Sequence, residues 1–272
     1  MNTVTQPESA RWLLRVKSNP QARLRLFCFP YSGGGASAFA SWGQSLPASI
    51  AVCPVQLPGR ESRIAEPPFV SMDALVPCVA EALRPLLNPP YALFGHSLGA
   101  LVAFEVARYL RALGAPPPAN LFVSACRAPH GSFPEPTYEL PEAEFLGRIR
   151  RLKGTPNAVF ENPELLELVL PILRADTTIY DTYRFQPGDP IECPITALGG
   201  VADDHVSRAD LADWSIHTKA AFRLRMFPGD HFFLQSARPQ LLRALATDLE
   251  TILHGPGWSS IATSNNHLEE MS

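Results

Sequence analysis

Residues 91–114 constrain the fold more than any other stretch. The apolar run YALFG (91–95) leads with no loop into Gly95-His96-Ser97-Leu98-Gly99, and an amphipathic helical pattern (97–113) begins at once and closes at Gly114. A strand that turns into a helix this abruptly brings two stretches of backbone into contact, which accounts for glycine on both sides of the corner and for the small Ala100 just beyond it. Ser97 keeps a functional side chain there, on a strained turn that lifts its hydroxyl above the end of the strand. G-x-S-x-G alone is a modest signal; the strand before it and the helix after it give it weight. A glycine-bracketed turn without chemistry is the weaker reading.

The same rhythm runs through most of the chain. Strands are predicted at 24–29 (LRLFCF, stopped by Pro30), 50–56, 91–95, 120–125, 194–199 and 222–227, and helices at 71–87, 97–113 and 236–253. Ser71 is the expected cap of the first helix, which Pro77 and Pro85 should bend or shorten. Apolar strands alternating with helices imply an α/β fold, a mostly parallel central sheet with helices on both faces. Between about 127 and 190 the alternation fails: helical patterns at 141–152 and 163–183 follow one another with no strand between them. Such a stretch is too long for a connecting loop, so an inserted helical lid over one end of the sheet is expected. Residues 1–22 read as an N-terminal arm, 23–255 as one domain and 256–272 as a polar, flexible tail.

Composition narrows the function. At 272 residues, 46% hydrophobic and 18% charged, the chain suits one α/β domain with an insertion and folds around its own core. A net charge of −3, from 23 Lys and Arg against 26 Asp and Glu, is too small to build the positive field that nucleic-acid binding needs. The N-terminus lacks a signal pattern and no apolar run approaches the ~20 residues of a spanning helix, so no membrane partner and a cytoplasmic location are expected. Cys28, Cys53, Cys78, Cys126 and Cys193 are odd in number, lack a CxxC pair and read as reduced core residues. With no HExxH and no paired Cys/His spacing, neither a metal nor another cofactor is expected. Gly33-Gly34-Gly35 makes a poor phosphate cradle, since no GK[ST] follows and the last glycine of the dinucleotide spacing is missing.

A serine hydroxyl becomes a nucleophile beside a base that a third group orients. On sheets of this kind the chain order is Ser, acid, His, each at the carboxyl end of a strand. Asp203 and Asp204 follow the strand at 194–199 and its Gly199-Gly200 turn, and His231 follows the strand ending at Phe227. Either aspartate fits on spacing alone. Among the other histidines, His96 holds an x position of the elbow, His130 and His217 fall outside strand ends, His205 is too near the acid, and His254 and His267 approach the tail. Donors for a developing oxyanion are expected from the backbone N–H of Leu98, directly after the nucleophile, and from Ser32 in the loop Pro30-Tyr31-Ser32-Gly33-Gly34.

Several segments together carry a family likeness: Phe27 to Gly34 with Phe39 and Trp42; Leu57-Pro58-Gly59-Arg60-Glu61-Ser62-Arg63; Gly95 to Ala100; residues 165–183; Gly199-Gly200 with Asp203; and residues 229–234. They resemble the type II thioesterases of polyketide and non-ribosomal peptide synthesis, and the animal medium-chain acyl-carrier-protein thioesterases are similar. The likeness spans residues 24–253, and PGRE-x-R with GDHFFL is more specific than the serine motif. The resemblance implies an α/β-hydrolase fold with a helical lid, and hydrolysis of acyl groups from the phosphopantetheine arm of acyl- or peptidyl-carrier proteins, usually to clear stalled or misprimed units. Carried over by residue, Ser97 is the nucleophile, His231 the base and Asp203, by the pattern Gly-Gly-x-x-Asp, the acid, with Asp204 in reserve. The chain departs from the family at Ser32, often Ala, and at Asp204, often Pro. Arg60, Glu61 and Arg63 are expected to anchor a loop through salt bridges, and the apolar stretch 165–173 of the lid to set acyl-chain preference. A monomer is expected. Three other readings use the same fold: a broad carboxylesterase or lipase, although the HGGG loop typical of those enzymes is missing; a medium-chain fatty acyl-carrier-protein thioesterase; and a catalytically silent module that binds a carrier protein or acyl ligand.

Overall fold

The computed structural model describes residues 11–14, 19–88, 90–131 and 135–255. Six strands, β1 (Leu24–Phe29), β2 (Ile50–Pro54), β3 (Tyr91–His96), β4 (Leu121–Ser124), β5 (Ile195–Gly200) and β6 (Phe222–Phe227), form one sheet in the order β2-β1-β3-β4-β5-β6. Every pairing between them is parallel. The helices are α1 (Met72–Leu83), α2 (Leu98–Ala112), α3 (Glu142–Leu152), α4 (Asn157–Glu161), α5 (Pro163–Thr182), α6 (Arg208–Ala212), α7 (Phe233–Ser236) and α8 (Arg238–His254).

The strands are apolar throughout because both faces are covered. Phe27, Phe29, Leu93 and Val123 point into the layer holding α1 and α2, while Leu26, Cys28, Phe94 and Phe122 point into the layer holding α8. Each such side chain, fully buried, contributes roughly 1.5–3 kcal/mol by leaving water. At one edge, β6 carries Arg223 and Arg225, which both pair with Asp248 on α8 and so charge a strand that would otherwise offer a free template.

At the other edge the sequence expectation needs correction. The strand predicted at 50–56 ends at Pro54, and its continuation pairs with residues from the expected arm: Leu13 bridges Val55 in antiparallel sense, and the N–H of Gln56 donates to the Trp12 carbonyl. Trp12 is buried beneath the Arg63 guanidinium. Residues 1–10 and 15–18 of the predicted arm, the predicted tail 256–272 and with it His267 lie outside the described residues. The first helix is shortened at Pro85 as expected, and the reading of the cysteines shifts. Pro77 sits inside α1, and the helix gives way after Leu83 to a 3₁₀ turn, Arg84–Leu86, at Pro85. The five cysteines are all free thiols, but Cys78 is exposed and Cys53 half-buried, so only Cys28, Cys126 and Cys193 belong to the core.

The segment between β4 and β5 contains α3, α4 and α5 and has a small core of its own, Phe145, Ile149 and Leu173. Asn162 starts α5 by accepting hydrogen bonds from the N–H groups of Glu164 and Leu165, with Pro163 as the first helical residue. The chain runs outward from β1 to β2 and then back across to β3, so the strand order reverses between β1 and β3. A crevice opens at the carboxyl ends of strands on either side of such a reversal.

Candidate active site

The crevice is built by steric necessity. A Cβ on Gly95 would collide with the backbone of Gly99, and one on Gly99 with the carbonyl oxygens of Phe29 and Pro30, so both glycines are required for α2 to start hard against β1 and β3. Ser97 between them takes φ 53° and ψ −121°, a conformation that costs an L-residue about 1–3 kcal/mol and clusters at functional sites. Its N–H donates to the Ser124 carbonyl at 2.8 Å, which fixes the corner to β4. At the far end of α2, the N–H groups of Gly114 (φ 73°) and Ala115 cap the last turn, as the position of Gly114 suggested.

Beyond β5, Asp203 Oδ2 lies 2.9 Å from His231 Nδ1, and Asp203 Oδ1 accepts from the N–H groups of His205 and Val206 at 2.8 and 3.1 Å. Burial pushes the Asp203 carboxyl up, but hydrogen bonds from His231 and these two amides more than offset it, so the group is held below the usual carboxylate range. Gly200 cannot carry a side chain, because a Cβ there would meet the backbone of Gly229 and Asp230, the residues that lead into His231. Asp204, the reserve acid, is exposed and is among the residues that line the cavity.

Ser97 and His231 line one cavity of about 350 Å³, together with Ser32, Tyr31, Leu173 and Phe232. Among the described residues no hydrogen bond joins the Ser97 hydroxyl to the His231 ring. Unliganded sites often hold such pairs at a longer distance and tighten with substrate. Ser32 and Gly33 form the corner of a turn closed by the Gly34 N–H on the Tyr31 carbonyl at 2.8 Å, and Leu98 opens α2. Of the two predicted oxyanion donors, Ser32 lines the cavity, and Leu98 is buried directly behind Ser97 at the start of α2.

His96, set aside on sequence, is fully buried against the rings of Tyr31, His231 and Phe232. Burial, and then the neighbouring His231, drive its pKa well below 6.5, so it is a neutral imidazole; Nδ1 shares a hydrogen bond with Ser124 Oγ at 2.9 Å. His130 and His217 meet each other at 2.7 Å, on the flank of α2 and away from Ser97. His205 stacks edge-on against His231.

Arg60 and Arg63 anchor the charged loop through salt bridges, with partners the sequence did not name, whereas Glu61 accepts hydrogen bonds in place of the expected ion pair. Arg60 makes a two-pronged salt bridge with Asp176 of α5 at 2.7 and 2.8 Å, Arg63 pairs with Glu66, and Glu61 accepts from Ser37. The expectation for 165–173 is corrected: Leu165 and Leu168 face solvent, and Leu173 alone of that stretch borders the cavity, which α3 lines as well through Ile149 and Leu152. No group of three or more His, Cys, Asp or Glu able to hold a metal occurs among the described residues, and no described helix is long and apolar enough to cross a membrane.

A six-stranded parallel sheet, wrapped by helices and carrying a serine on a strained strand-to-helix corner, defines an α/β-hydrolase. Within that class the chain belongs to the thioesterase domain family, whose model matches residues 24–249. It is 45% identical over 255 residues to linear gramicidin dehydrogenase LgrE of Brevibacillus parabrevis, covering 92% of this chain and 97% of that one. Gramicidin S biosynthesis protein GrsT of Aneurinibacillus migulanus is 42% identical over 244 residues, covering 89% and 95%. Among solved structures, the RedJ thioesterase from the prodiginine pathway of Streptomyces coelicolor superposes with a TM-score of 0.80 at 41% identity, over 86% of this chain and 90% of that one. The protein is a thioesterase.

Proposed function

We propose that the protein releases acyl groups from the phosphopantetheine arm of acyl- or peptidyl-carrier proteins in polyketide or non-ribosomal peptide synthesis, clearing stalled or misprimed units. Ser97, His231 and Asp203 act as the triad, and the N–H groups of Ser32 and Leu98 as oxyanion donors. The carrying observation is the 2.9 Å bond between Asp203 and His231 at the wall of the cavity that also receives Ser97. The names of two relatives, a gramicidin S biosynthesis protein and a thioesterase of prodiginine biosynthesis, support the pathway class. The domain is read as 23–255, with the insertion at about 127–190 as its lid, acting as a monomer in the cytoplasm, where the five cysteines stay reduced.

In this mechanism Asp203 holds the His231 tautomer whose Nε2 takes the proton from Ser97. Ser97 Oγ bonds to the thioester carbon, the carbonyl π electrons move onto oxygen, and the two N–H groups receive the negative charge. Collapse breaks the C–S bond, and the proton on His231 goes to the departing sulfur. A thiol of pKa about 8.5 asks less of that acid than an alkoxide would. Water repeats the sequence on the acyl-serine, giving a carboxylic acid and restoring Ser97.

The dehydrogenase name of one relative has no counterpart at this site. Gly33-Gly34-Gly35 leads into a 3₁₀ turn, Ala36–Phe39, and the Glu61 carboxylate occupies the space that a Cβ on Gly35 would take, an anion packed against the loop that a phosphate would need.

The test compares an acyl-phosphopantetheinyl carrier protein with simple oxygen esters, using wild type and Ser97→Ala. The thioester should turn over faster, and Ser97→Ala should lose at least about 10³-fold in kcat while keeping its circular dichroism. Faster ester hydrolysis would mean a carboxylesterase, binding without turnover a silent module, and a fully active Ser97→Ala would remove the serine from the mechanism.

A further inference from the structure

The turn that offers the Ser32 N–H is held from outside by three elements. The N–H of Gly33, the next residue, donates to Asp176 Oδ2 at 2.7 Å. Arg60 Nη1 donates to the Gly34 carbonyl at 3.1 Å and to the same Asp176 oxygen at 2.7 Å, while Nη2 reaches Asp176 Oδ1 at 2.8 Å. Gln56 Oε1 accepts from the Ala36 N–H, and the Gln56 amide in turn donates to the Arg60 carbonyl at 3.0 Å. Leu173, one helical turn before Asp176, lies where a Cβ on Gly33 would stand, at 2.6 Å.

Gly33 has φ 75°, so the turn is of type II, in which the peptide plane between the second and third residues is flipped relative to type I. The Asp176 carboxylate selects that plane. Turning it over would set the Ser32 carbonyl oxygen against a buried anion. Arg60 and Asp176 are 4% and 1% exposed, and the bidentate pairing leaves no net charge beside the place where the oxyanion forms. An ion pair so deep in the protein is weak evidence for stability, since the desolvation of both ions opposes their attraction. A specific position for the turn is what it does provide.

We propose that Asp176 and Arg60 are positioning residues for the reaction: by fixing the Gly33 N–H and the Gly34 carbonyl, they hold the oxyanion donor of Ser32 over Ser97, and they make its position depend on where α5 of the insertion sits. This rests on the serine mechanism of the preceding section. The two are separable, because failure of that mechanism shows as wild type whose Ser97 takes up no acyl group, whereas failure of the present proposal leaves wild type active.

The test pairs Arg60→Met/Asp176→Leu, which leaves no buried charge unpaired and so should fold, with the milder Asp176→Asn. Rates are measured on an acyl-N-acetylcysteamine thioester, and inhibition with an acyl trifluoromethyl ketone, whose bound tetrahedral anion needs the oxyanion donors, and with the carboxylate product, which does not. The double variant should lose about 10- to 100-fold in kcat with KM held within about threefold. Its affinity for the ketone should fall by the same factor as kcat, and affinity for the product should stay. Asp176→Asn, with one accepting oxygen for three donors, should lose about threefold to tenfold in kcat, again matched by the ketone. Unchanged kcat in a folded double variant would overturn the proposal, as would losses in rate, ketone and product binding that all follow the folded fraction. If the double variant does not fold, Asp176→Asn decides: wild-type kcat and ketone affinity there also overturn it.

Discussion

Asp203 and Asp204 are adjacent in sequence, and the fold separates them completely. Asp203 is turned inward, with one oxygen on His231 and the other on two backbone N–H groups, while Asp204 is exposed and lines the cavity. Asp203→Asn can keep its carbonyl oxygen on the amides of His205 and Val206, which places an NH₂ against His231 Nδ1 and forces the ring into the wrong tautomer. A loss of about 10³- to 10⁴-fold in kcat is expected, against no more than about threefold for Asp204→Asn. Equal losses from steady-state kinetics on the same thioester would remove the distinction. Spacing alone left both aspartates open, because which of two neighbours faces inward depends on the turn after β5, and that turn is set by contacts with residues 229 and 230. Ser97, by contrast, was legible because its glycines answer to a local collision.

At the scale of elements, long periodic helices and apolar strands were readable from the chain, and short ones were not. α4 has five residues and no buried side chain, so no apolar period marks it. α6 is equally short, but Ser207 and Asp210 form a reciprocal capping box, a signal present in the sequence as Ser-x-x-Asp. For the insertion, composition did not tell which apolar side chains reach the cavity: within 165–173 only Leu173 does. Leu168 is 57% exposed, whereas Ile149 of α3 is buried in the small core and also borders the cavity. Ile149→Ala should therefore open the acyl site and raise kcat/KM for a dodecanoyl over a hexanoyl thioester by about tenfold, while Leu168→Ala leaves the ratio as it is. The cavity term also costs about 2–5 kcal/mol of stability, so the comparison is made below the melting transition of the variant. A ratio moved by Leu168→Ala and not by Ile149→Ala would show that the acyl chain lies elsewhere.

Over the whole molecule, the parallel sheet and its reversal between β1 and β3 follow from the order of strands and helices, which is local information. The tie between the turn at Tyr31–Gly34 and α5 joins Arg60 to a residue more than a hundred positions away, and no pattern in the chain announces it. A second property belongs to the packed state alone. His96 and His217 are both buried as neutral rings. Burial first, then His231, drives His96 well below 6.5, and burial, then His130 and Arg108, lowers His217 to about 4. In the unfolded chain both titrate near 6.5. Below that pH the unfolded state binds protons that the folded state refuses, so stability is complete above about 6.5 and falls with acid until the folded pKa is reached. For His217 the window runs from about 6.5 down to about 4, and His96 adds to the acid loss of stability in the same direction. Asp203, held below the carboxylate range, is lost only in stronger acid and does not blur this window. His217→Phe fits a site already walled by Phe104, Phe185 and Trp214. Urea unfolding between pH 5 and 7 should then show the slope reduced by about one proton, with stability at pH 7.5 little changed. A variant whose stability falls with acid as steeply as wild type would mean that His217 takes up its proton without unfolding.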